Sequence, residues 1–236
     1  MLRFRLEPDE AELLIRPEIA IVAGYTARDR EAVLEHIQEL EELGVEAPPT
    51  VPTFYAVPPQ QVIQNKALLT TGIATSGEAE AALVVDHGQV FVTICSDHTD
   101  RAAERFDIAL SKLCCQKVVG SSAWRLDDVA EQWDELELRS WIGADDTPYQ
   151  DGALGSLVPP LELLAAIPWR SEPRSFIVLC GTVPTLGGIQ PSPRFRAELF
   201  DPAAGRRLGL DYTIEALDLL RRAEEDDPSL TPAGVG

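Results

Sequence analysis

The clearest pattern along the chain is a pair of apolar, β-type runs that flank residues 86–89. Residues 78–85 read EAEAALVV and residues 90–97 read VFVTICSD. The DHGQ between them is a turn sequence of the Asp/Gly type, which predicts a β-hairpin. Because both faces of this hairpin are largely apolar, we expect it to be buried on both sides.

The predicted register of the hairpin brings three acidic side chains together. Whether the loop has two or four residues, Glu80 lies opposite Cys95 and Glu78 lies opposite Asp97, and directly paired residues have Cβ atoms about 5 Å apart. Three ionised carboxylates at the end of a buried hairpin repel one another and lack solvation. A hard divalent cation, Mg²⁺, Mn²⁺ or Ca²⁺, is the simplest remedy. The alternative is a solvated strand end with ordinary surface acids.

The rest of the pattern predicts a strand-rich chain with a few helices. We expect further strands at 2–6, 18–23, 68–75, 175–180, 195–200 and 207–212, and helices at 101–113 and 154–167. Another helix should follow Thr26 and Asp29, which resemble a capping box, and should end at Gly44. The fold class is therefore α+β. We expect one domain over residues 1–222 and a disordered acidic tail at 223–236.

Two of the predicted helices carry an apolar stripe that we expect to face the core. The stripe of the first is Val33, Leu34, Ile37 and Leu40, and that of the second is Ala102, Phe106, Ala109, Leu110 and Leu113. In the helix at 154–167, the Pro159-Pro160 pair predicts an interruption.

Charge and composition narrow the function classes. The net charge of -19 disfavours nucleic acid and anionic membrane surfaces as partners, since no basic patch is available for phosphates. The four cysteines lack the spacing of a zinc site or a disulfide framework. The first residues form no apolar signal segment, and no run approaches about 18 apolar residues. A cytoplasmic enzyme or binding protein is the expectation.

Several short motifs occur in an order that resembles the fumarylacetoacetate hydrolase superfamily, and in detail a DUF2848-like, uncharacterised branch of it. The motifs are IVAGY at 21–25, PTFYAVP at 52–58, EAE at 78–80, SDHTDR at 96–101, Lys117 with Lys112 as second choice, Tyr149-Gln150, and GTVPTLGG at 181–188. The match covers roughly residues 19–200. It implies a mixed β-sheet roll of the fumarylacetoacetase C-terminal-like type with a few peripheral helices.

The resemblance also implies a chemistry and a homodimer. Family members use Mg²⁺ to bind a small-molecule carboxylate, a 2-oxo acid or 1,3-diketone, and to stabilise the enolate formed as a C–C bond breaks. Glu78, Glu80 and Asp97 would hold the metal. Lys117 would complement the substrate carboxylate or the enolate. The remaining substrate-binding candidates are Tyr25, Arg28, Arg101, Gln150, Gly181 and Thr182.

Departures from the family pattern leave the general base open. The chain has Arg28 and Asp29 where the family has a lid histidine with a glutamate partner, Val57 where it has a lysine, and a shorter segment before Asp97. The candidates for the base are Asp29, His98, which strand alternation points to the opposite face, and a metal-bound water.

Two classes of function follow. The first is a metal-dependent hydrolase or lyase that acts on a C–C bond of a 2-oxo acid or acylpyruvate-like molecule, with hydratase or tautomerase chemistry as a close relative. The second is a binding protein that has kept the metal pocket and lost catalysis, as the missing histidine and Val57 suggest. Fold analogy alone does not decide between them.

Overall fold

Strands make up most of this computed structural model, which describes residues 1–42, 47–48 and 50–217. The strands are β1 (Leu2–Leu6), β2 (Ala11–Ile15), β3 (Ile19–Gly24), β4 (Thr53–Val57), β5 (Val62–Ile63), β6 (Ala67–Thr70), β7 (Thr75–Ser76), β8 (Ala79–Asp86), β9 (Gln89–Ser96), β10 (Thr99–Asp100), β11 (Lys117–Val119), β12 (Ser122–Arg125), β13 (Glu137–Ile142), β14 (Gln150–Ala153), β15 (Ser175–Thr182), β16 (Arg194–Asp201) and β17 (Arg206–Ala216). The helices are α1 (Arg30–Glu42), α2 (Arg101–Glu104), α3 (Ile108–Cys114) and α4 (Pro160–Ala166). The α+β class is confirmed.

The strands form two mixed sheets and a small ribbon. The larger sheet has the order β2-β1-β12-β9-β8-β15-β3-β4, with β11 and β5 added beside β9. The smaller has the order β14-β13-β16-β17-β6, and β7 pairs with β10. Apolar side chains from β8 and β9 pack against those of β13, β16 and β17 in one core cluster. The opposite face of β8 packs in a second cluster with β1 and β15.

The central hairpin has the predicted register and burial. Its loop has two residues, His87 and Gly88 with φ of 48° and 80°, and Asp86 pairs with Gln89. Glu80 pairs with Cys95, as expected. Residues 79–85 are all buried, because β15 covers the edge of β8 and a core cluster lies against each face.

The segment predicted as one helix over 101–113 forms two short helices instead. The side chains of Asp100 and Asp107 each accept hydrogen bonds from backbone N–H groups and start α2 and α3 separately. The predicted apolar stripe faces outward: Phe106 is 89% exposed and Leu110 is 51% exposed. The polar face of α3 is buried instead, and it carries Lys112.

The other helices differ in smaller ways from the prediction. In α1, Val33 and Ile37 are buried, but Leu34 is 60% exposed. The segment at 154–167 is interrupted before Pro160, as predicted: Leu154–Ser156 forms a short 3-10 helix, and Pro160 starts α4, since proline suits the first turn of a helix. The predicted strand at 68–75 divides into β6 and β7. Gly44 and the tail at 223–236 lie outside the described residues.

Candidate functional site

A cavity of ≈ 1130 Å³ opens at the end of the central hairpin where the acidic residues lie. Its charged wall consists of Asp29, Glu78, Glu80, Asp97, Arg101, Glu104, Arg105 and Lys112. Much of the remaining wall is apolar and includes Ala23, Ala27, Val33, Tyr55, Ala74, Ile108, Leu157, Pro184, Ile189 and Pro191. The cavity therefore combines a charged end with an apolar body, as small-molecule sites commonly do.

The hairpin and the neighbouring strand position the three carboxylates. The backbone N–H of Asp97 donates to the carbonyl of Glu78 at 3.0 Å, which extends the β8–β9 ladder by one pair. A register shift in β15 between Leu179 and Thr182 turns the N–H of Gly181 toward Glu80, and it donates to Oε2 at 2.7 Å. Glu80 is thus buried with one oxygen hydrogen-bonded and with its side chain on the cavity wall.

Glycine is required at position 181 for a steric and a conformational reason. Its φ of 90° lies in the region that L side chains rarely adopt. A Cβ atom there would lie 1.9 Å from Oγ1 of Thr26. The bulge that presents the N–H to Glu80 therefore depends on this residue.

Asp97 is paired with two lysines. Its Oδ2 accepts a hydrogen bond from Nζ of Lys112 at 2.5 Å, and its Oδ1 lies 2.8 Å from Nζ of Lys117. Lys117 is fully buried and donates to the carbonyl of His98 at 2.6 Å, whereas Lys112 lies on the cavity wall. Asp97 thus has one ammonium behind it and one on the side that faces the cavity.

Glu78 lies against a different cation. Its Oε2 is 3.2 Å from Nη2 of Arg101, and their side chains are 15% and 13% exposed. Arg101 also donates through Nη1 to Glu104 at 2.8 Å and through Nε to Oγ of Ser76 at 2.7 Å. Three carboxylates, Glu78, Glu80 and Asp97, therefore share this region with three cations.

Burial and these cations move the pKa values of the carboxylates apart. Burial, and then the charge of Asp97, hold the pKa of Glu80 well above its ordinary value. Burial alone would also raise the pKa of Asp97, but Lys112 and Lys117 lower it below the usual range. The pKa values of Glu80 and Asp97 are therefore shifted in opposite directions.

The donor set has the right chemistry for a hard divalent cation, although the side chains are not gathered around one. Three carboxylates supply the oxygen ligands that Mg²⁺ prefers, and all three line the same cavity. Oδ1 of Asp97 is buried and accepts no hydrogen bond of regular geometry, although it lies 2.8 Å from Nζ of Lys117. Within the described ranges, no three acidic, histidine or cysteine side chains are arranged to hold an ion. The residues fit a metal in chemical type, and Nζ of Lys112 lies against one of the oxygen atoms of Asp97.

Four residues that the sequence analysis assigned to the site are not among the residues that line the cavity. Lys117 lies behind Asp97, and His98 is buried on the opposite side of the strand, as its alternation predicted. Arg28 forms a two-bond ion pair with Asp134. Gln150 is fully buried. Each of the four is held by contacts within the protein.

Gln150 and Thr182 hold the strand that carries the glutamates. Oε1 of Gln150 accepts from the N–H of Ala79 at 2.9 Å, and its Nε2 donates to Oγ1 of Thr182 at 2.6 Å. Thr182 in turn donates to the carbonyl of Ala79 at 2.7 Å. The backbone N–H and C=O of Ala79, which lies between Glu78 and Glu80, are therefore both hydrogen-bonded. Thr182 also lines the cavity.

Tyr25, Asp29 and Arg101 do line the cavity, as does Tyr55, which the sequence analysis missed. Tyr25 has a φ of 55°, which is uncommon for a bulky residue. Burial raises the pKa values of both tyrosine hydroxyl groups. Tyr55 belongs to the PTFYAVP motif at 52–58, and that motif was the signal in the sequence that could have pointed to it.

His98 should control how stability depends on pH. The Tyr212 hydroxyl donates to Ser96 at 2.9 Å, so its oxygen accepts from Nδ1 of His98, and Nε2 accepts from Thr75 at 3.0 Å. Burial, then Lys117 and Arg101, lower the pKa of His98 to about 3. The unfolded chain therefore binds more protons between about pH 6.5 and 3, and stability falls as the pH falls through this window.

We expect His98→Asn to remove a slope of up to about 1.4 kcal/mol per pH unit from the free energy of unfolding in that window. Urea denaturation at several pH values measures it. The matched control is His87→Asn in the exposed hairpin turn, which should keep the wild-type slope. Equal slopes in both variants would contradict the assignment.

Comparison with known proteins gives the family and the fold. The family model described as "Protein of unknown function (DUF2848)" matches residues 23–212, close to the predicted span of 19–200. No curated protein matches the chain. In the part of the chain that the structure describes, no helix is long and apolar enough to cross a membrane.

Solved structures with low sequence identity share the fold. One, a protein assigned to the fumarylacetoacetate hydrolase family from Yersinia pestis CO92, has a TM-score of 0.64 at 14% identity, with 91% of this chain and 100% of that chain covered. Another is 2-keto-3-deoxy-D-arabinonate dehydratase complexed with magnesium and 2,5-dioxopentanoate, with a TM-score of 0.59, 16% identity, and 86% and 74% covered. The predicted roll is thus confirmed, and the chain belongs to the DUF2848 family, a branch with the fumarylacetoacetate hydrolase fold.

Proposed function

We propose that this protein is a divalent-metal-dependent hydrolase or lyase that acts on a C–C bond, or an enolisable position, of a 2-oxo acid or acylpyruvate-like molecule. The observation that carries the proposal is one cavity wall on which Glu78, Glu80, Asp97 and Lys112 lie next to the bulge at Gly181. Such a wall combines oxygen ligands for a metal with a cation that can bind a substrate carboxylate. Enolate chemistry requires both kinds of group.

The three carboxylates are the proposed metal ligands, and Mg²⁺ is the proposed ion. A solved relative in fold, 2-keto-3-deoxy-D-arabinonate dehydratase, is complexed with magnesium, and Mn²⁺ or Ca²⁺ would suit the same oxygen donors. When bound, the ion would supply a Lewis acid and a template for the substrate oxygens. Glu80, fixed by the N–H of Gly181, is the proposed anchor of the set.

The groups proposed to bind the substrate carboxylate are those on the charged wall. Lys112 and Arg101 are cations beside the carboxylates, and Tyr25 and Thr182 offer hydroxyl groups from the neighbouring loop and strand. Lys117 and Gln150 are proposed as positioning residues, since they hold Asp97 and Ala79. Arg28 could bind substrate only by leaving Asp134.

The apolar body of the cavity favours substrates with an apolar substituent on the 2-oxo acid. Burying such a group is favourable by roughly 25 cal/mol for each Å² of apolar surface. Acylpyruvates with a longer acyl chain should therefore bind more tightly than pyruvate-sized acids.

An activity assay tests the proposal. Dialysed protein would be incubated with an acylpyruvate series, oxaloacetate and a 2-keto-3-deoxy acid, with and without Mg²⁺. We expect turnover of at least one class that requires the added metal. Metal binding without turnover of any class would favour the second reading, a binding protein that has lost catalysis. Homodimer assembly and a cytoplasmic location remain predictions.

Asp29 is the proposed general base. It lies on the cavity wall at the start of α1, and its Oδ1 also accepts from the N–H of Glu31 at 3.1 Å. Asp29→Asn should lower kcat by about 100-fold or more, the usual contribution of a general base, while metal affinity stays nearly unchanged.

Asparagine caps helices as well as aspartate does, so the stability of Asp29→Asn should change little. This makes the variant a clean test of chemistry. Near-normal turnover on the best substrate would show that Asp29 is a cap and that the base lies elsewhere.

A further inference from the structure

The ammonium group of Lys112 lies against Asp97, one of the three proposed metal ligands. Its Nζ is 2.5 Å from Oδ2 of Asp97 and 3.4 Å from Oγ1 of Thr99, and the residue is only 8% exposed. It comes from α3, which turns its polar face inward while Phe106, just before α3, and Leu110 on it remain exposed. The helix is thus rotated so that Lys112 reaches Asp97, while the apolar side chains of Phe106 and Leu110 stay in solvent.

Cations of the protein already pair with two of the three carboxylates. Arg101 lies against Glu78 and Glu104, and Lys112 and Lys117 lie against Asp97. A divalent cation adds two positive charges to this set. One of the existing cations must then withdraw from the carboxylates, because like charges repel strongly at short distance in a buried site.

Lys112 is the cation that can withdraw. Lys117 is fully buried and also bound to the carbonyl of His98. Arg101 is held by Glu104 and Ser76 in addition to Glu78. Lys112, in contrast, lies on the cavity wall, and its contacts beyond Asp97 are limited to the long one with Thr99 among the hydrogen bonds of the described residues. Its flexible side chain can turn into the cavity without breaking another ion pair.

We propose that Lys112 acts as an exchangeable counterion: its ammonium group occupies Oδ2 of Asp97 in the metal-free protein, and binding of a divalent cation displaces it into the cavity. This inference rests on the metal site of the proposed function. It accounts for the position of Lys112, which lies on the cavity wall and pairs with Asp97 there. It also links the two halves of the site, because the lysine that metal binding releases is the one proposed to meet the substrate carboxylate.

The direct test is the affinity of Lys112 variants for metal, with Mn²⁺ and Mg²⁺ as the probes, measured by titration calorimetry on metal-free protein. Lys112→Met keeps the length of the side chain and removes its charge. We expect it to bind the ion at least about tenfold more tightly than the wild type, because the ion no longer breaks a buried ion pair. Lys112→Arg keeps the charge and should show no gain, and it serves as a second variant should Lys112→Met fold poorly.

Arg105→Met is the matched charge control. Arg105 also lines the cavity, but no ion pair among the residues that the structure describes joins it to Glu78, Glu80 or Asp97. A gain in Lys112→Met that Arg105→Met does not share supports exchange at Asp97, whereas equal gains would point to a general charge effect and overturn the proposal.

Thermal unfolding supplies an independent readout. Metal-free Lys112→Met should unfold at a lower temperature than the wild type, because Asp97 has lost one partner, and added Mn²⁺ should raise its unfolding temperature by more than it raises that of the wild type. Wild-type affinity in Lys112→Met would overturn the exchange and leave the metal site intact. No binding to either protein would overturn the exchange and the metal dependence of the proposed function together.

Discussion

Asp97→Asn is expected to lower the free energy of unfolding by about 3–5 kcal/mol. The carboxylate is buried between the ammonium groups of Lys112 and Lys117, at 2.5 and 2.8 Å. An amide cannot neutralise them, and Lys117 has no accessible surface at which water could replace the lost partner. Chemical denaturation of the metal-free protein measures the loss.

The matched control for this variant is Asp211→Asn. Asp211 accepts two hydrogen bonds from Arg194, at 2.9 and 2.6 Å, but the two side chains are about half exposed. Solvent screens that pair, so the expected loss is at most about 1 kcal/mol. Comparable losses in the two variants would mean that the lysines around Asp97 find other partners.

The contacts of Asp97 with Lys112 and Lys117 predict how the wild-type protein responds to strong acid. The lysines lower the pKa of Asp97 below its ordinary value of 3.8. The stability that this carboxylate contributes is therefore complete above that value and is lost as the pH falls through the lower pKa of the folded state. This loss begins at the acid end of the window in which His98 acts and continues below it.

Glu80→Gln is expected to weaken metal binding by at least about 100-fold and to reduce turnover at a fixed Mg²⁺ concentration at least as much. Changes to groups that merely orient a metal ligand already cost about 10–100-fold, and Glu80 is proposed as a ligand. Calorimetry with Mn²⁺, together with the assay on the best substrate, measures both effects.

Glu80→Gln should not show the loss of stability that is expected for Asp97→Asn. Burial and the charge of Asp97 raise the pKa of Glu80, so the folded protein disfavours the ionised form. A neutral amide can keep one hydrogen bond from Gly181, and the free energy of unfolding of the metal-free protein should not fall.

Glu104→Gln is the control for charge in the cavity. Glu104 lines the same wall but pairs with Arg101 rather than joining the proposed ligands. It should change metal affinity by less than about tenfold, because solvent reaches its side chain, which is 29% exposed. If Glu80→Gln and Glu104→Gln weaken binding equally, Glu80 is not a ligand.

The position of the carboxylates on the backbone could be predicted from local sequence alone. A hairpin with a two-residue turn has one register, and side chains alternate between its faces, so Glu80 opposite Cys95 and Asp97 beside Glu78 follow from counting residues. The burial of both faces of the hairpin could also be predicted locally, because both faces carry mainly apolar residues.

The partners of these carboxylates could not be predicted in this way. The stripe of Phe106, Leu110 and Leu113 predicted one helix with an apolar face, yet all three residues are exposed and Lys112 is buried. Helix amphipathicity is a weak guide for a short helix beside a cavity, because one buried ion pair can decide which face turns inward.

By itself, the sequence determined the hairpin, its register, the α+β class and the order of motifs that matches the DUF2848 family. These features depend on contacts between neighbouring strands or on local residue spacing. The tertiary structure alone decided that Lys112 rather than Lys117 lines the cavity, that Gly181 supports Glu80, and that Arg28 pairs with Asp134. Each of these contacts joins segments that lie far apart in the chain or depends on the rotation of a helix, and no local pattern fixes such geometry.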